Sequence, residues 1–289
     1  MYMLIAGTQI AQAIKTNLQK QVQTLAKRSI TPLLAIIHLS DDAGSSSYIR
    51  QKMKIAEEIG AKTKIFGKET GIHSPKDLEK TIKELNDDPG IHGIIIQRPV
   101  PEEFDDPKLL LSIVKGKDVD GFAPDSPFET PVALAVEEIL IHIYHTDKTR
   151  KVTDYSSWIK EKIITIIGKG ETAGAPIQKY FKRQGLTPSI VDTKTERPED
   201  VLKTSDIIIS CVGKRGVIRK ETVKEGVILI SVGISRDEVG KLHGDYEEEE
   251  MKDIASYYTP TPGGVGPVNV ACLFMNILQA ATPKHPKRV

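Results

Sequence analysis

Apolar residues along this chain follow two patterns that take turns. Strand-like stretches run at 32–39 (PLLAIIHL), 61–66, 93–97 (GIIIQ), 163–167 (IITII), 189–191, 206–213 (DIIISCVG) and 227–233 (VILISVG). Most are unbroken apolar runs rich in β-branched residues, the composition of strands buried on both faces. Between them the apolar positions recur every three or four residues. Ile10, Ala13, Ile14, Leu18, Val22 and Leu25 define a helix from Gln9 to Leu25. A second helix covers 47–60 (SYIRQKMKIAEEIG) and closes on Gly60 as its C-terminal cap. Ser74 caps a third that runs to Leu85, with Asp77 three residues on as an imperfect capping box. Ala133, Leu134, Val136, Ile139, Leu140 and Ile143 mark a helix from Pro131 to Tyr144, another starts near Pro176, and a last apolar one reaches Ala281. Strand and helix in alternation predict an α/β fold with parallel sheets covered on both faces.

The stretches left over divide the chain. SDDAGSS (40–46) and RPVPEEF (98–104) read as loops. KGKDVDGF (115–122) reads either as an ordered loop at the edge of a cleft or as a plain surface loop. Asp147 to Asp154 is a charged, hinge-like link, and a polar turn follows Asp192. GKLHGD (240–245) resembles a hairpin and is counted with the strands of the second sheet. Glu247 to Glu250 reads as a solvated helix start, and TPTPGGVGPVNV (259–270) as a glycine–proline turn that returns the chain to its first domain. PKHPKRV (283–289) is expected to be a loose basic tail. A chain of 289 residues has the length of two domains. The expected division is 1–146 plus 268–289 for the first and 147–267 for the second.

Composition removes several classes of function. Forty basic and thirty-nine acidic residues nearly cancel, so neither nucleic acid nor a membrane surface is expected as a partner. Cys211 and Cys272 lie in apolar contexts that suit reduced thiols, and with no CxxC or Cys/His cluster no metal is expected. His142 and His145 read as surface or interface residues. The N-terminus lacks a signal-peptide profile and no apolar run nears membrane-spanning length, so the expected protein is soluble and cytoplasmic.

Two places carry chemistry. After the run 163–167 come Gly168, Gly170 and Gly174, then a helix start: the order of a dinucleotide-binding loop, in which backbone approaches pyrophosphate and a helix N-terminus supplies N–H donors. The spacing G-x-G-x-x-x-G is one residue longer than the usual fingerprint. Asp192, ending the next strand, stands where an acidic residue accepts hydrogen bonds from a ribose 2′-hydroxyl. The alternative is an ordinary βα turn with an incidental aspartate. Earlier in the chain, Tyr48 and Lys52 sit one turn apart on one helix face. A phenol against a partly buried ammonium tunes a proton donor, although spacing alone favours a surface lysine beside a half-buried tyrosine. The YxxxK of short-chain dehydrogenases follows its glycine loop, and this one precedes it, so that assignment fails. Gln97 at a strand end and Asp120 in KDVDGF, a candidate partner for a nitrogenous ring, are expected to converge with them.

These residues also carry a resemblance. SSSYIRQKMKIAEEIG, GIIIQRPVP, KDVDGF, the glycine loop with its GAP, and TPTPGGVGPVNV stand in the order and spacing of one group. From its first helix to about Ala281 the chain resembles the bifunctional methylenetetrahydrofolate dehydrogenase/methenyltetrahydrofolate cyclohydrolase family. PGGVGP paired with KDVDGF is the most specific part. The resemblance implies an N-terminal α/β catalytic domain that binds folate, a Rossmann-type doubly wound dinucleotide-binding domain, a folate cleft between them, and a homodimer. It implies NAD or NADP as cofactor and tetrahydrofolate derivatives as substrates. Hydride leaves the one-carbon bridge of 5,10-methylenetetrahydrofolate, and water then opens the methenyl form to 10-formyltetrahydrofolate. Carried over by motif, Lys52 matches the catalytic lysine that Tyr48 and Gln97 position and tune, and Asp120 the aspartate that binds the pterin. Pro262, Gly263 and Gly266 match the folate-lining segment. Gly168, Lys169, Gly170 and Ile234 match cofactor positions, with Thr172, Gly174, Asp192, Val212 and Gly213 assigned beside them.

Departures from the family pattern bear on the cofactor. The loop reads Gly168-Lys169-Gly170 in place of G-R-S, and Asp192 stands where the family is often small, basic or His. A carboxylate there repels a 2′-phosphate and favours NAD, whereas Lys169 pulls toward NADP, the habit of most members. Arg98 replaces an apolar residue and either meets the folate glutamate tail or points to solvent. Glu129-Thr130-Pro131 replaces Cys-Thr-Pro, and Asn269 a common Thr. Two further readings remain at this level: a dehydrogenase without the cyclohydrolase step, against which Tyr48, Lys52 and Gln97 speak, and a non-catalytic dinucleotide-binding regulator, against which Asp120 and PGGVGP speak.

Overall fold

The structure is a computed structural model that describes residues 2–283; the tail expected at 283–289 lies outside them from residue 284. In chain order the first half holds β1 (Met3–Leu4), α1 (Gly7–Ala26), β2 (Leu33–Ile37), α2 (Ala43–Ile59), β3 (Lys62–Phe66), α3 (Pro75–Asp87), β4 (Gly93–Ile96), α4 (Pro107–Leu110) and α5 (Pro131–Thr146). Then follow α6 (Tyr155–Lys160), β5 (Ile164–Ile167), α7 (Gly174–Arg183), β6 (Ser189–Val191), α8 (Pro198–Thr204), β7 (Ile207–Ser210) and β8 (Val227–Ser231). The last are β9 (Ser235–Arg236), β10 (Leu242–His243), α9 (Glu248–Met251), β11 (Ala255–Tyr258) and α10 (Val265–Ala281).

Two compact units result. One contains Gln12–Pro131 and the described residues from Val270; the other contains the described residues up to Ala11 together with Val132–Asn269. The sequence-based boundaries fell at 146/147 and 267/268. The difference has two sources: β1 pairs with β11, and α5 groups with the later residues.

The first unit is built on a parallel sheet ordered β3-β2-β4. Alternation along β2 divides its side chains between two cores. Leu34 and Ile36 join Leu18 and Val22 of α1, Ile49 and Ile59 of α2, and Val270, Phe274 and Ile277 of α10. Ala35 and Ile37 join Leu78, Ile82 and Leu85 of α3. The last helix thus returns to the first sheet, as expected. Helix α2 starts earlier than expected, within the supposed loop 40–46. Asp42 is its N-cap, accepting a 2.6 Å hydrogen bond from the Ser45 N–H. Gly60, at φ 81°, closes it. At α3 the capping box is displaced by one residue: Ser74 accepts from the Asp77 N–H, while the Asp77 carboxylate reaches back to the His73 N–H at 3.1 Å. The Ser74 hydroxyl and that N–H hold the Asp77 carboxyl below its ordinary range.

The second unit is built on six parallel strands ordered β1-β11-β8-β7-β5-β6. Ile208 and Leu229 enter one core with Val191, Leu202, Tyr246 and Met251. Ile207, Ile209, Ile228 and Ile230, on the opposite face, are also buried. From β5 the chain goes to β6 on one side and then crosses to β7 on the other. The carboxyl ends of β5 and β7 therefore flank a topological switch point, where open α/β sheets open a ligand crevice.

Several elements were not legible beforehand. β1 has two residues and no periodicity of its own, and β11 (ASYY) is polar and aromatic. Helix α8 hides in the polar turn after Asp192, yet a parallel step from β6 to β7 requires a crossover. α4 and α6 are similarly short. One expectation is corrected: GKLHGD adds nothing to the six-stranded sheet. Its β10 pairs antiparallel with β9 in a separate two-stranded ribbon, because the Asp237 N–H and Lys241 carbonyl close a tight turn. TPTPGGVGPVNV is only half a turn, since α10 begins at Val265 and takes in Gly266 and Asn269.

Candidate active site

In the first unit the carboxyl end of β4 meets the middle of α2. Backbone pairing sets this up: the Gln97 N–H donates to the Ile37 carbonyl at 2.8 Å, extending the β2–β4 register by one residue. The Gln97 side chain is then held at both ends. Its Nε2 donates to the Arg98 carbonyl at 2.9 Å, so Oε1 is turned to accept from Lys52 Nζ at 2.8 Å. Lys52 is half-buried on α2, and Tyr48, also half-buried, lies one turn earlier. Desolvation lowers the Lys52 ammonium below the ordinary lysine range, and attraction from Asp120 opposes that fall. Asp120 is half-buried in turn. Burial raises its carboxyl, Lys52 opposes the rise, and Asp118 adds to it. The result is a lysine that sheds a proton more readily than usual beside an acid that keeps one more readily than usual.

The loop presenting Asp120 is fixed by neighbours that motif reading passed over. Lys117 Nζ donates to the carbonyls of Leu85, Asn86 and Asp88 at 2.8, 2.8 and 2.6 Å, capping the carboxyl end of α3. The buried Asp118 carboxylate accepts from the Ala123 N–H at 2.9 Å and closes the turn. Asn276 is buried in α10, and its Nδ2 donates to the carbonyls of Val119 and Glu129, each at 2.8 Å. Its signal in the sequence was a single amide inside the apolar run ACLFMNIL. Asn276→Leu removes the amide donor from both carbonyls and is expected to cost about 2–4 kcal/mol. Urea unfolding with an unchanged slope checks this; a shift below about 0.5 kcal/mol overturns it.

Beside Asp120 lies a small cavity of about 30 Å³, lined by Ile94, Ile96, Arg98, Asp118, Asp120 and Phe122 among others. It has the scale of one or two water molecules. Arg98 is exposed, with its guanidinium 5.9 Å from the Phe122 ring centre and 4.0 Å from Asp105. It borders the polar cluster at the surface. The Arg98–Pro99 peptide is cis.

In the second unit, the loop after β5 lies at the switch point. Gly168 has φ 88°, and a Cβ on Gly174 would stand 2.1 Å from the Gly168 carbonyl oxygen, so the first turn of α7 packs directly on the loop backbone. Helix α7 starts two residues before the expected Pro176, and its N-cap, Ala173, gives no side-chain cap. Open space surrounds Gly170, and Lys169 and Thr172 are exposed. Val212 and Ile234 leave apolar surface exposed beyond β7 and β8. A backbone cradle, a bare helix N-terminus and apolar flanks fit a dinucleotide.

Asp192, at the end of β6, forms a 2.6 Å ion pair with Lys169. Its other oxygen accepts from the Lys194 N–H at 2.9 Å. The Lys169 hydrogen bond, foremost, holds its carboxyl below the usual range. The two residues that argued in opposite directions for the cofactor are therefore partners. Cys211 is half-buried past β7; burial, and Asp245 beside it, push its thiol up to about 12, so it stays protonated at neutral pH. In the PGGVGP segment the Thr261–Pro262 peptide is cis, Pro262 is exposed, and Gly263 has φ 104°. Gly266 and Asn269 are half-buried in the first turns of α10. Among the described residues no group of three or more His, Cys, Asp or Glu is placed to hold a metal, and no helix is long and apolar enough to cross a membrane.

Comparison with known proteins places these features in context. Residues 5–120 match the family model "Tetrahydrofolate dehydrogenase/cyclohydrolase, catalytic domain", and residues 149–285 match its NAD(P)-binding domain. The bifunctional protein FolD of Staphylococcus saprophyticus is 35% identical over 286 residues, covering 96% of each chain. Among solved structures, the bifunctional FolD dehydrogenase/cyclohydrolase of Campylobacter jejuni has a TM-score of 0.87 at 33% identity, covering 97% of this chain and 99% of that one. The Trypanosoma brucei FolD, complexed with NADP cofactor and inhibitor, has a TM-score of 0.84 at 27% identity, covering 97% of each.

Proposed function

The chain belongs to the tetrahydrofolate dehydrogenase/cyclohydrolase family, and we propose that Lys52, Gln97 and Asp120 run its folate chemistry from the unit that holds β2, β3 and β4. The enzyme oxidises 5,10-methylenetetrahydrofolate to the methenyl form with NAD(P), then hydrolyses it to 10-formyltetrahydrofolate. The observation that carries the residue assignment is the 2.8 Å bond from Lys52 Nζ to Gln97 Oε1, beside Asp120.

Asp120 binds the pterin ring by accepting hydrogen bonds from its N–H groups, as the family motif implies. Gln97 fixes the direction of the Lys52 ammonium, and Tyr48, one turn earlier, completes the helix face. Lys52 takes a proton from the water that adds to the methenyl carbon and returns one to the ring nitrogen as the ring opens. Desolvation lowers its proton affinity, which moves it toward the range in which a lysine can both give up and regain a proton. Gly168, Gly170 and Gly174 would hold the dinucleotide diphosphate at the start of α7, with Val212, Gly213 and Ile234 beside it. The bound nicotinamide supplies the hydride acceptor. Pro262, Gly263, Gly266 and Asn269 line the folate, with Arg98 toward its glutamate tail. A homodimer in the cytoplasm is the assembly and compartment that the family resemblance supports.

The test is methenyltetrahydrofolate formation from methylenetetrahydrofolate, followed optically with NAD and NADP in parallel. Turnover with either is expected; none from folded protein overturns the dehydrogenase.

The Asp192 carboxylate, held by Lys169 and by the Lys194 N–H, favours a free 2′-hydroxyl, so NAD is the expected preference. Asp192→Ser removes the repelling charge and releases Lys169 for a 2′-phosphate. The NADP/NAD ratio of kcat/KM is expected to rise by about 10- to 100-fold, the size of one or two charged contacts. An unchanged ratio places Asp192 outside the ribose pocket.

A further inference from the structure

Asp245 is fully buried, yet its carboxylate faces no lysine or arginine among its hydrogen-bond partners. A charge in that position is costly unless its oxygens are satisfied. Here every bond to the carboxylate comes from the end of β7, beside the switch point, and the loop that follows it. Oδ2 accepts from the Ser210 hydroxyl at 2.5 Å and from the Val212 N–H at 3.0 Å; Oδ1 accepts from the Lys214 N–H at 2.8 Å. The two N–H groups straddle Gly213, which turns at φ 67°. The same residue reaches β8 through its backbone, since its N–H donates to Ser231 Oγ at 2.9 Å, and Ser231 Oγ donates to the Gly233 carbonyl at 3.2 Å. A Cβ on Gly233 would lie 2.2 Å from the Gly213 nitrogen and 2.4 Å from Asp245 Oδ2. The loops after β7 and β8 therefore close onto this carboxylate.

We propose that Asp245 is a positioning residue of the dinucleotide site, fixing the backbones of Val212–Lys214 and Gly233–Ile234 so that Val212 and Ile234 stand where the cofactor's rings meet them. The proposal rests on the assignment of those two residues to the cofactor. Its logic is that of an anion set in a nest of backbone donors. The buried charge orders two loops whose exposed apolar side chains would otherwise fold inward. Asparagine keeps the shape but turns an N–H₂ toward N–H donors, so one loop must release.

The bifunctional reaction supplies a discriminating readout, because hydrolysis of methenyltetrahydrofolate consumes no dinucleotide. Both activities of intact wild-type enzyme are measured first, which tests the functional reading separately. In Asp245→Asn the KM for the preferred dinucleotide is expected to rise at least 10-fold, with cyclohydrolase turnover within twofold of wild type. Parallel loss of both activities by a folded variant marks a merely structural role and overturns the proposal; so does an unchanged dinucleotide KM. Ser210→Ala guards against misfolding, since it removes a single bond to the carboxylate. It is expected to raise the dinucleotide KM about three- to tenfold, again sparing hydrolysis. Should Asp245→Asn fail to fold, an unchanged KM in Ser210→Ala overturns the proposal.

Discussion

Lys52→Met is expected to cut cyclohydrolase turnover by about 10²- to 10⁴-fold, the range contributed by a positioned proton-transfer group. Methionine keeps most of the stem's volume on α2, so the loss reports the ammonium and not the packing. Gln97 Oε1 loses the donor it accepts from at 2.8 Å. Hydride transfer depends on alignment more than on a protein acid, and the dehydrogenase is expected to fall far less. The substitution also removes the positive charge that resists the rise of the Asp120 carboxyl. Asp120 then ionises only at higher pH, and folate binding that needs its carboxylate weakens from the acid side. Hydrolysis at the wild-type rate in Lys52→Met overturns the role of Lys52. An unmoved acid limb of folate binding overturns its coupling to Asp120.

Asp120→Asn probes the same pair from the other side, with its largest effect on folate affinity. A charge-assisted hydrogen bond is worth about 1.5–3 kcal/mol, so the folate KM is expected to rise about 10- to 100-fold. The pH dependence carries the sharper information. Lys52 is lowered chiefly by desolvation, while Asp120 pulls the other way. Removing the carboxylate leaves desolvation unopposed, Lys52 loses its proton at still lower pH, and the limb of the rate profile that Lys52 controls moves toward acid. Profiles of kcat and kcat/KM between about pH 5 and 9 check this. A limb that stays in place, or moves toward alkali, means the two groups do not share a field.

The chain's apolar spacing was enough to specify the α/β class, the strands of both sheets from β2 to β8, and the long helices. The unbroken runs LLAII, GIII, IIIS and VILIS admit few environments other than a parallel sheet covered on both faces. Motifs singled out Lys52, Gln97, Asp120 and the glycine loop as candidates, because such chemistry tolerates few residue types at fixed spacing. What sequence left open was whatever depends on a distant partner. β1 is a strand only because β11 lies beside it, and the segment at 240–245 joins β9 in a separate ribbon because the turn between them closes locally. Lys169 and Asp192 read as rivals for the cofactor until the fold joined them at 2.6 Å. Asn276 lies 157 positions from Val119, and Asp245 lies 35 from Ser210, so neither pairing leaves a local trace. A buried polar group is chosen for the donors and acceptors that surround it in space, and those are assembled only by the tertiary structure. Sequence alone supplied the candidate groups; the fold decided which of them face one another.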